Sequence, residues 1–408
     1  MRRRRTLAAL FVVGAMVLAA CGSSSKSSSK TGTTGSSKTE AKGPVKLVFL
    51  WEVQGESSVS VDDYNNGAVM AVEEINAAGG INGHKVETDR VSTSVFDPQK
   101  ANASYLKALD ENPTAILGLI APAVIAGASS NITRGRVPVL SPSTGGDDLR
   151  YATGGSEFGW LMDYEGAAAD AAINYMVDVL KVKKIALMGD NTPYGSSGIA
   201  FAKKALDKHG LQPVTVQTFA PDATDVTQQV LAVKSSGAEA VLNAAYPNPL
   251  AVQLNQFVQN GVNIPTFSFG SSPFVVNYGL AKGDALKGFY GVEACNFPAA
   301  TQANAKDFAA AYQKRFPKAG PPSYFAGFTH DLVYVAKAAI EKAGSTDPVK
   351  VNDALKGIKT TSNVVCGERY EADGSHFLGR SGEIVAYSPT SPPGKIVKTY
   401  TIPLLGKA

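Results

Sequence analysis

Histidine is scarce in this chain, with four in 408 residues. They stand at His84, His209, His330 and His376, and none forms the His-Glu-x-x-His pair of a zinc hydrolase. There is no Gly-x-Ser-x-Gly elbow for a serine nucleophile and no Walker loop for phosphates. His330-Asp331 falls inside a helical pattern and reads as a satisfied pair rather than a catalytic dyad. These absences argue against an enzyme, and neither metal nor cofactor is expected. Charge of one sign is missing too. Of 39 basic residues, Arg2–Arg5 crowd the N-terminus, and without them basic and acidic residues balance at 35 each. No nucleic-acid partner is therefore expected. Cysteine is limited to Cys21, Cys295 and Cys366. No apolar run is long enough to span a bilayer, since the longest, Leu7 to Ala20, is short and wrongly flanked.

What is present begins with that run. Arg2–Arg5 followed by Leu7–Ala20 has the form of an export signal, placed at residues 1–21. Leu18-Ala19-Ala20-Cys21 resembles a bacterial lipobox, which makes Cys21 the expected lipidation site and the membrane anchor. Residues 22–44 are Ser, Thr, Gly and Lys with almost no apolar content. Such a segment cannot bury a core and reads as a tether reaching roughly 25 Å. The remaining length suffices for two domains.

The folded part opens at Leu47-Val48-Phe49-Leu50, an apolar run without alternation. That is the mark of a strand buried on both faces of a parallel sheet. A polar loop carrying Gln54 follows, with Asp62 as expected N-cap of a helix. Tyr64, Ala68, Ala71, Val72 and Ile75 stripe one side of it, and Gly79-Gly80 stops it. Strand, loop and helix recur. Strands are expected at Thr114–Ile120, Val137–Leu140, Lys184–Met188, Val214–Phe219, Ala240–Ala244, Pro265–Phe269 and Phe289–Ala294, with helices between. Closing strands are expected at Glu383–Tyr387 and Lys395–Ile402. This alternation implies doubly wound parallel sheets, whose ligands bind beyond the C-terminal ends of the strands.

Asn66-Gly67-Ala68, Ala71-Val72-Glu73-Glu74-Ile75-Asn76 and Gly79-Gly80-Ile81-Asn82-Gly83 closely resemble the start of the leucine/isoleucine/valine-binding proteins. The resemblance extends over about residues 45–400. It implies the type I periplasmic-binding-protein fold: two α/β lobes with doubly wound parallel sheets, joined by a three-strand hinge. The lobes are expected at 45–161 with 296–366, and at 162–295 with 367–408. It also implies a monomeric, extracytoplasmic solute-binding lipoprotein that hands a small-molecule ligand to ABC permease subunits. A ligand-sensing lipoprotein of the same fold is the alternative function. Cys295 and Cys366 fall at expected crossings between lobes. An exported chain permits a disulfide there, two free buried thiols being the alternative.

Carried over residue by residue, the resemblance places Tyr194, Tyr246, Ser143 and Thr144 at the ligand. Gln54, Ala123, Trp160 and Ser271 complete the candidate set. Two features of the relatives are missing. A serine-rich loop is replaced by Ala121-Pro122-Ala123, and an acidic residue is replaced within Gly270-Ser271-Ser272. No acid lies between Pro247 and Val276, so an amino-acid ammonium would lack its counter-charge unless Glu52 or Glu56 supplied one. A neutral or anionic ligand fits the sequence better than a free amino acid.

Overall fold

The computed structural model describes residues 43–52, 61–142, 157–159, 165–361, 363–367, 369–371 and 381–402. Strand β1, Val45–Glu52, is the centre of the first half. It pairs in parallel with β2, Val86–Thr93, and with β3, Ala115–Gly118. Further strands β4, Val139–Ser141, and β5, Glu157–Gly159, complete a five-stranded sheet in the order β2-β1-β3-β4-β5. The apolar run is buried on both faces, as its lack of alternation requires. Leu47 and Phe49 enter one core, while Val48 and Leu50 enter the other.

The first of these cores lies under helices α1, Val61–Ala77, and α10, Tyr324–Ala343. Two small residues let those helices come close. A Cβ on Gly67 would stand 1.9 Å from the Ala326 carbonyl oxygen, so only glycine fits there. Helix α1 starts at Val61, one residue before the expected cap. Asp62 and Asp63 therefore lie in its first turn, where the helix dipole favours negative charge. Gly79 and Gly80 follow the helix with φ of 98° and 80°, the conformation that ends it. The other core lies under α2, Pro98–Asp110, and α3, Pro122–Gly135.

The second half repeats the plan. Strands β6, Ile185–Asp190, β7, Thr215–Phe219, β8, Ala240–Ala244, β9, Thr266–Phe269, and β10, Phe289–Glu293, are parallel. Two antiparallel strands, β13, Ser381–Ser388, and β14, Ser391–Thr401, extend this sheet beyond β10. The seven-stranded order is β14-β13-β10-β9-β8-β6-β7. One face is covered by α4, Glu165–Asn174, and α5, Pro193–Asp207. The opposite face carries α6, Thr227–Ser235, and α7, Pro247–Gln259.

The chain passes between the sheets three times: after β5, after β10 and before β13. After β10 it enters the first lobe through α9, Ala303–Arg315, then α10 and α11, Pro348–Leu355. The short pair β11, Lys359–Thr360, and β12, Tyr370–Glu371, closes that excursion. Tyr370 still lies in the first lobe's core, beyond the Cys366 boundary read from the sequence. Cys295 and Cys366 are bonded to each other and tie the second crossing to the last part of the first-lobe excursion, ahead of β12. Asp331 on α10 fixes the same segment, accepting from the amides of Val365 and Cys366 and from the Tyr370 hydroxyl. Among the described residues no helix is long and apolar enough to cross a membrane.

Candidate ligand-binding cleft

Among the described residues, the segment after β2 of the first lobe meets the loop after β8 of the second, where Phe96 lies against Tyr246. On the second lobe three loops are bound into one unit. Asp190 ends β6, fully buried. Its Oδ1 accepts from the Thr192 amide at 3.1 Å and from the Thr192 hydroxyl, and its Oδ2 accepts from the Tyr246 amide at 2.8 Å. One carboxylate thus holds the loop that leads into α5 and the loop that leads into α7. Burial raises the Asp190 pKa, and these donors oppose that rise. The third loop follows β9. Ser271 donates to the Ala245 carbonyl at 2.7 Å, and the Tyr194 hydroxyl donates to the Phe269 carbonyl at 2.9 Å.

The result is an aromatic row. The Tyr194 and Tyr246 rings lie 5.3 Å apart, with Tyr194 buried and Tyr246 half-buried. Phe96, in the segment after β2 on the first lobe, meets Tyr246 edge-on at 5.3 Å. This row crosses from lobe to lobe, a geometry that aromatic quadrupoles favour.

The lobes also meet along α1, α10 and a short helix α8, Ser272–Asn277. Phe274 of α8 enters the first lobe's core, 5.4 Å from the ring of Tyr324 and 5.3 Å from that of Phe325. The Tyr324 hydroxyl donates to the Gly270 carbonyl. The Tyr278 hydroxyl reaches across to Asp63 Oδ2 at 3.0 Å, while Tyr312 donates to Asp63 Oδ1 at 2.9 Å. Burial pushes the Asp63 pKa up, against the hydroxyls that stabilise its charge.

Of the residues singled out in the sequence, Tyr194, Tyr246 and Ser271 are brought together by these loops. Ser271 is 6% exposed and spends its hydroxyl on Ala245, so it shapes the loop from within. Ala123 is half-buried near the start of α3, a helix end without a side-chain cap. Gln54, Ser143, Thr144 and Trp160 lie outside the described residues, as do Cys21 and Glu56. Glu52 is buried at the end of β1. Phe96, Asp190 and Tyr324 were not read as site residues. The signal for Asp190 was its place at the end of an apolar strand, just before the Thr192-Pro193 helix start. Phe96 follows a strand whose sequence is too polar to announce itself.

Comparison with known proteins agrees with this architecture. The chain is 29% identical over 287 residues to Leu/Ile/Val-binding protein homolog 3 of Brucella melitensis, covering 70% of this chain and 76% of that protein. It is 24% identical over 314 residues to the leucine-, isoleucine-, valine-, threonine- and alanine-binding protein of Pseudomonas aeruginosa, covering 76% and 82%. Among solved structures, LivJ of Streptococcus pneumoniae in complex with isoleucine superposes with a TM-score of 0.73 at 22% identity, covering 88% of this chain and 99% of that one. A solute-binding protein of an R. palustris ABC transporter in complex with 4-hydroxybenzoate superposes with a TM-score of 0.77 at 18% identity, covering 90% and 99%. Residues 44–382 match the model of the periplasmic binding protein family, and the chain belongs to that family.

Proposed function

We propose that this protein is the extracytoplasmic receptor of an ABC importer, anchored through lipidated Cys21 to the outer face of the cytoplasmic membrane. Its two lobes, the first running past the boundary at 366 to take in Tyr370, close over a small polar organic ligand and present it to the permease. The protein binds and releases its ligand without converting it, and works as a monomer. Closure is a hinge motion in which the ligand favours the closed form by touching both lobes. Tyr194, Tyr246, Ser271 and Ala123 form part of the site, with Gln54, Ser143, Thr144 and Trp160 completing it.

One observation carries the ligand class. The loop after β9 offers no charge to the cleft. Both of its serines turn inward, Ser271 to the Ala245 carbonyl and Ser272 to Glu293. An ammonium buried against that loop would stay unpaired, at a cost of several kcal/mol. An uncharged amide or an organic anion would not meet that penalty, and the aromatic row favours a ligand with a flat apolar body. Relatives named for branched-chain amino acids and a fold neighbour holding 4-hydroxybenzoate bracket this range.

The test is calorimetry of purified protein against leucine, isoleucine, valine, their amides, and 4-hydroxybenzoate, together with mass spectrometry of copurifying small molecules. The amides or the aromatic acid should bind more tightly than the free amino acids. Micromolar or tighter leucine binding would show that another carboxylate, Glu52 first among them, reaches the ammonium. The anchor is tested separately: Cys21→Ser should leave the protein unprocessed or release it, and a normally processed, membrane-bound mutant would refute lipidation.

A further inference from the structure

β10 ends in a buried carboxylate that pairs with no cation among the described residues. Glu293 is 1% exposed. Its Oε1 accepts from the Ser272 hydroxyl at 2.7 Å and from the Tyr387 hydroxyl, and its Oε2 accepts from Asn296 Nδ2 at 3.3 Å. The three donors belong to three different parts of the molecule. Ser272 opens α8, directly after the loop of the ligand site. Tyr387 stands on β13, and Asn296 lies on the crossing between lobes, next to the bonded Cys295. Room for the group exists because residue 291 has no side chain. A Cβ on Gly291 would lie 2.1 Å from Glu293 Oε1 and 2.2 Å from Ser272 Oγ.

The groups around Glu293 do not neutralise it. From β13, Glu383 stands opposite in the strand register, its own Oε2 accepting from the Asn296 amide at 2.9 Å. Tyr387 is the other titratable group on that strand near it. β9 and α8 contain no charged residue. On α4, Asp170 is at the surface, paired with Lys208. Burial pushes the Glu293 pKa up to about 7, against the pull of its three donors.

We propose that Glu293 positions the Gly270–Pro273 loop from behind and makes the loop's geometry depend on the proton of that carboxylate. The ionised group accepts from all three donors at once. A protonated carboxyl keeps acceptor capacity but gains an O–H, and the three neighbours present only donors to it. At least one of Ser272, Tyr387 and Asn296 must then reorient to accept that hydrogen. Reorientation of Ser272 loosens the turn that it shares with Ser271, whose hydroxyl is bound to the Ala245 carbonyl just before Tyr246. The loop is therefore tight above neutral pH and loose below it. Its consequence for ligand affinity, though not the strut itself, rests on the function proposed above.

Hydrogen–deuterium exchange of the peptide covering residues 269–277 tests the strut without any ligand. After correction for intrinsic exchange, its protection should fall about fivefold between pH 8 and pH 6, the equivalent of one buried hydrogen bond. Glu293→Gln, an isosteric neutral group, should show the looser state at both pH values. Gly291→Ala should resemble it by crowding the carboxylate. A flat wild-type profile, or one that persists in Glu293→Gln, overturns the proposal. Calorimetry with 4-hydroxybenzoate and with isoleucine at the same two pH values reads the consequence. Whichever binds should weaken about fivefold at pH 6 in the wild type and not in Glu293→Gln. Failure of both probes to bind would count against the ligand class alone, because the exchange experiment decides the strut.

Discussion

Asp331→Ala removes the group that fixes the segment from Val365 to Tyr370 inside the first lobe. In the wild type the buried carboxylate accepts from the Val365 amide at 3.0 Å, the Cys366 amide at 3.0 Å and the Tyr370 hydroxyl at 2.8 Å. Alanine leaves all three without that acceptor. Tyr370 has a second one, the Cys366 carbonyl at 3.3 Å, so its loss is partly made good. The two backbone amides belong to buried residues and, among the described residues, have no second acceptor. Each unpaired donor costs about 1–3 kcal/mol, which sets the expected loss near 4 kcal/mol. For a body of this size that lowers the melting temperature by about 5 °C. Asp331→Asn separates acceptor from charge. Its carbonyl can face the two amides and Tyr370, while its amide faces His330 Nδ1, now 3.1 Å from the carboxylate. It should recover most of the loss, to within about 1–2 kcal/mol of wild type. Urea unfolding monitored by circular dichroism measures all three proteins. A loss under about 1 kcal/mol in Asp331→Ala would show that water replaces the carboxylate, and the account of the segment would be wrong. Equal losses in Ala and Asn would show that charge, not hydrogen bonding, holds it.

Two further outcomes follow from the same region. The Cys295–Cys366 bridge closes a loop with a sequence separation of 71. Replacing both cysteines by alanine should cost about 4 kcal/mol in the chain-entropy account, and unfolding curves that match wild type would contradict it. His330 is buried, which disfavours its charge, but Asp331 and Glu74 flank it and raise its pKa to about 9. Because the folded value lies above the unfolded one, this contribution is complete below about pH 6.5 and is lost as pH rises through 9. Unfolding free energy should therefore fall by up to about 3 kcal/mol across that window in wild type. His330→Gln should flatten the difference, and an unchanged slope in the mutant would assign it to other groups.

The elements that announce themselves in the sequence are those buried on two faces. The Leu47–Leu50 run, the Ile185–Met188 part of the Lys184–Met188 run and the Ala240–Ala244 run carry no polar residue toward solvent, and each belongs to an interior strand. β2 went unread for the converse reason. It is an edge strand, and Val86-Glu87-Thr88-Asp89-Arg90-Val91 shows charges to water. Helix α2, behind it, had legible signals in Asp97 and Pro98. The Asp97 side chain accepts from the amides of Gln99 and Lys100, and Pro98 opens the helix. Of the candidate cleft, only some of the residues that the strand-end loops bring together were legible in the sequence. Tyr194 and Tyr246 follow strand ends, where pattern and resemblance point together. Phe96 depended on the unread β2. The Asp63–Tyr278 and Tyr324–Gly270 contacts join residues far apart in the chain, and no local pattern encodes such pairs.

The fate of the strand-end acids connects these observations. An acidic residue at the C-terminal edge of a parallel sheet looks, in sequence, like a counter-charge awaiting a cationic ligand. In this fold the same position also faces the first amides of the following helices, which carry unsatisfied donors. Asp190 resolves that competition in favour of the protein. Its two oxygens take donors at the start of α5 and before α7, and so set the spacing of Tyr194 and Tyr246. Glu293 does the same with hydroxyls and an amide, one layer behind the loop. Both charges are turned away from the cleft and consumed in holding its wall. A carboxylate already surrounded by its own donors has little left to give an ammonium, whereas rigid aromatic rings held by it offer a surface that needs no charge on the ligand. If the proposed ligand class is right, the acids that shape this candidate cleft are also the reason for it, and a leucine that binds tightly would show that neither Asp190 nor Glu293 is the deciding group.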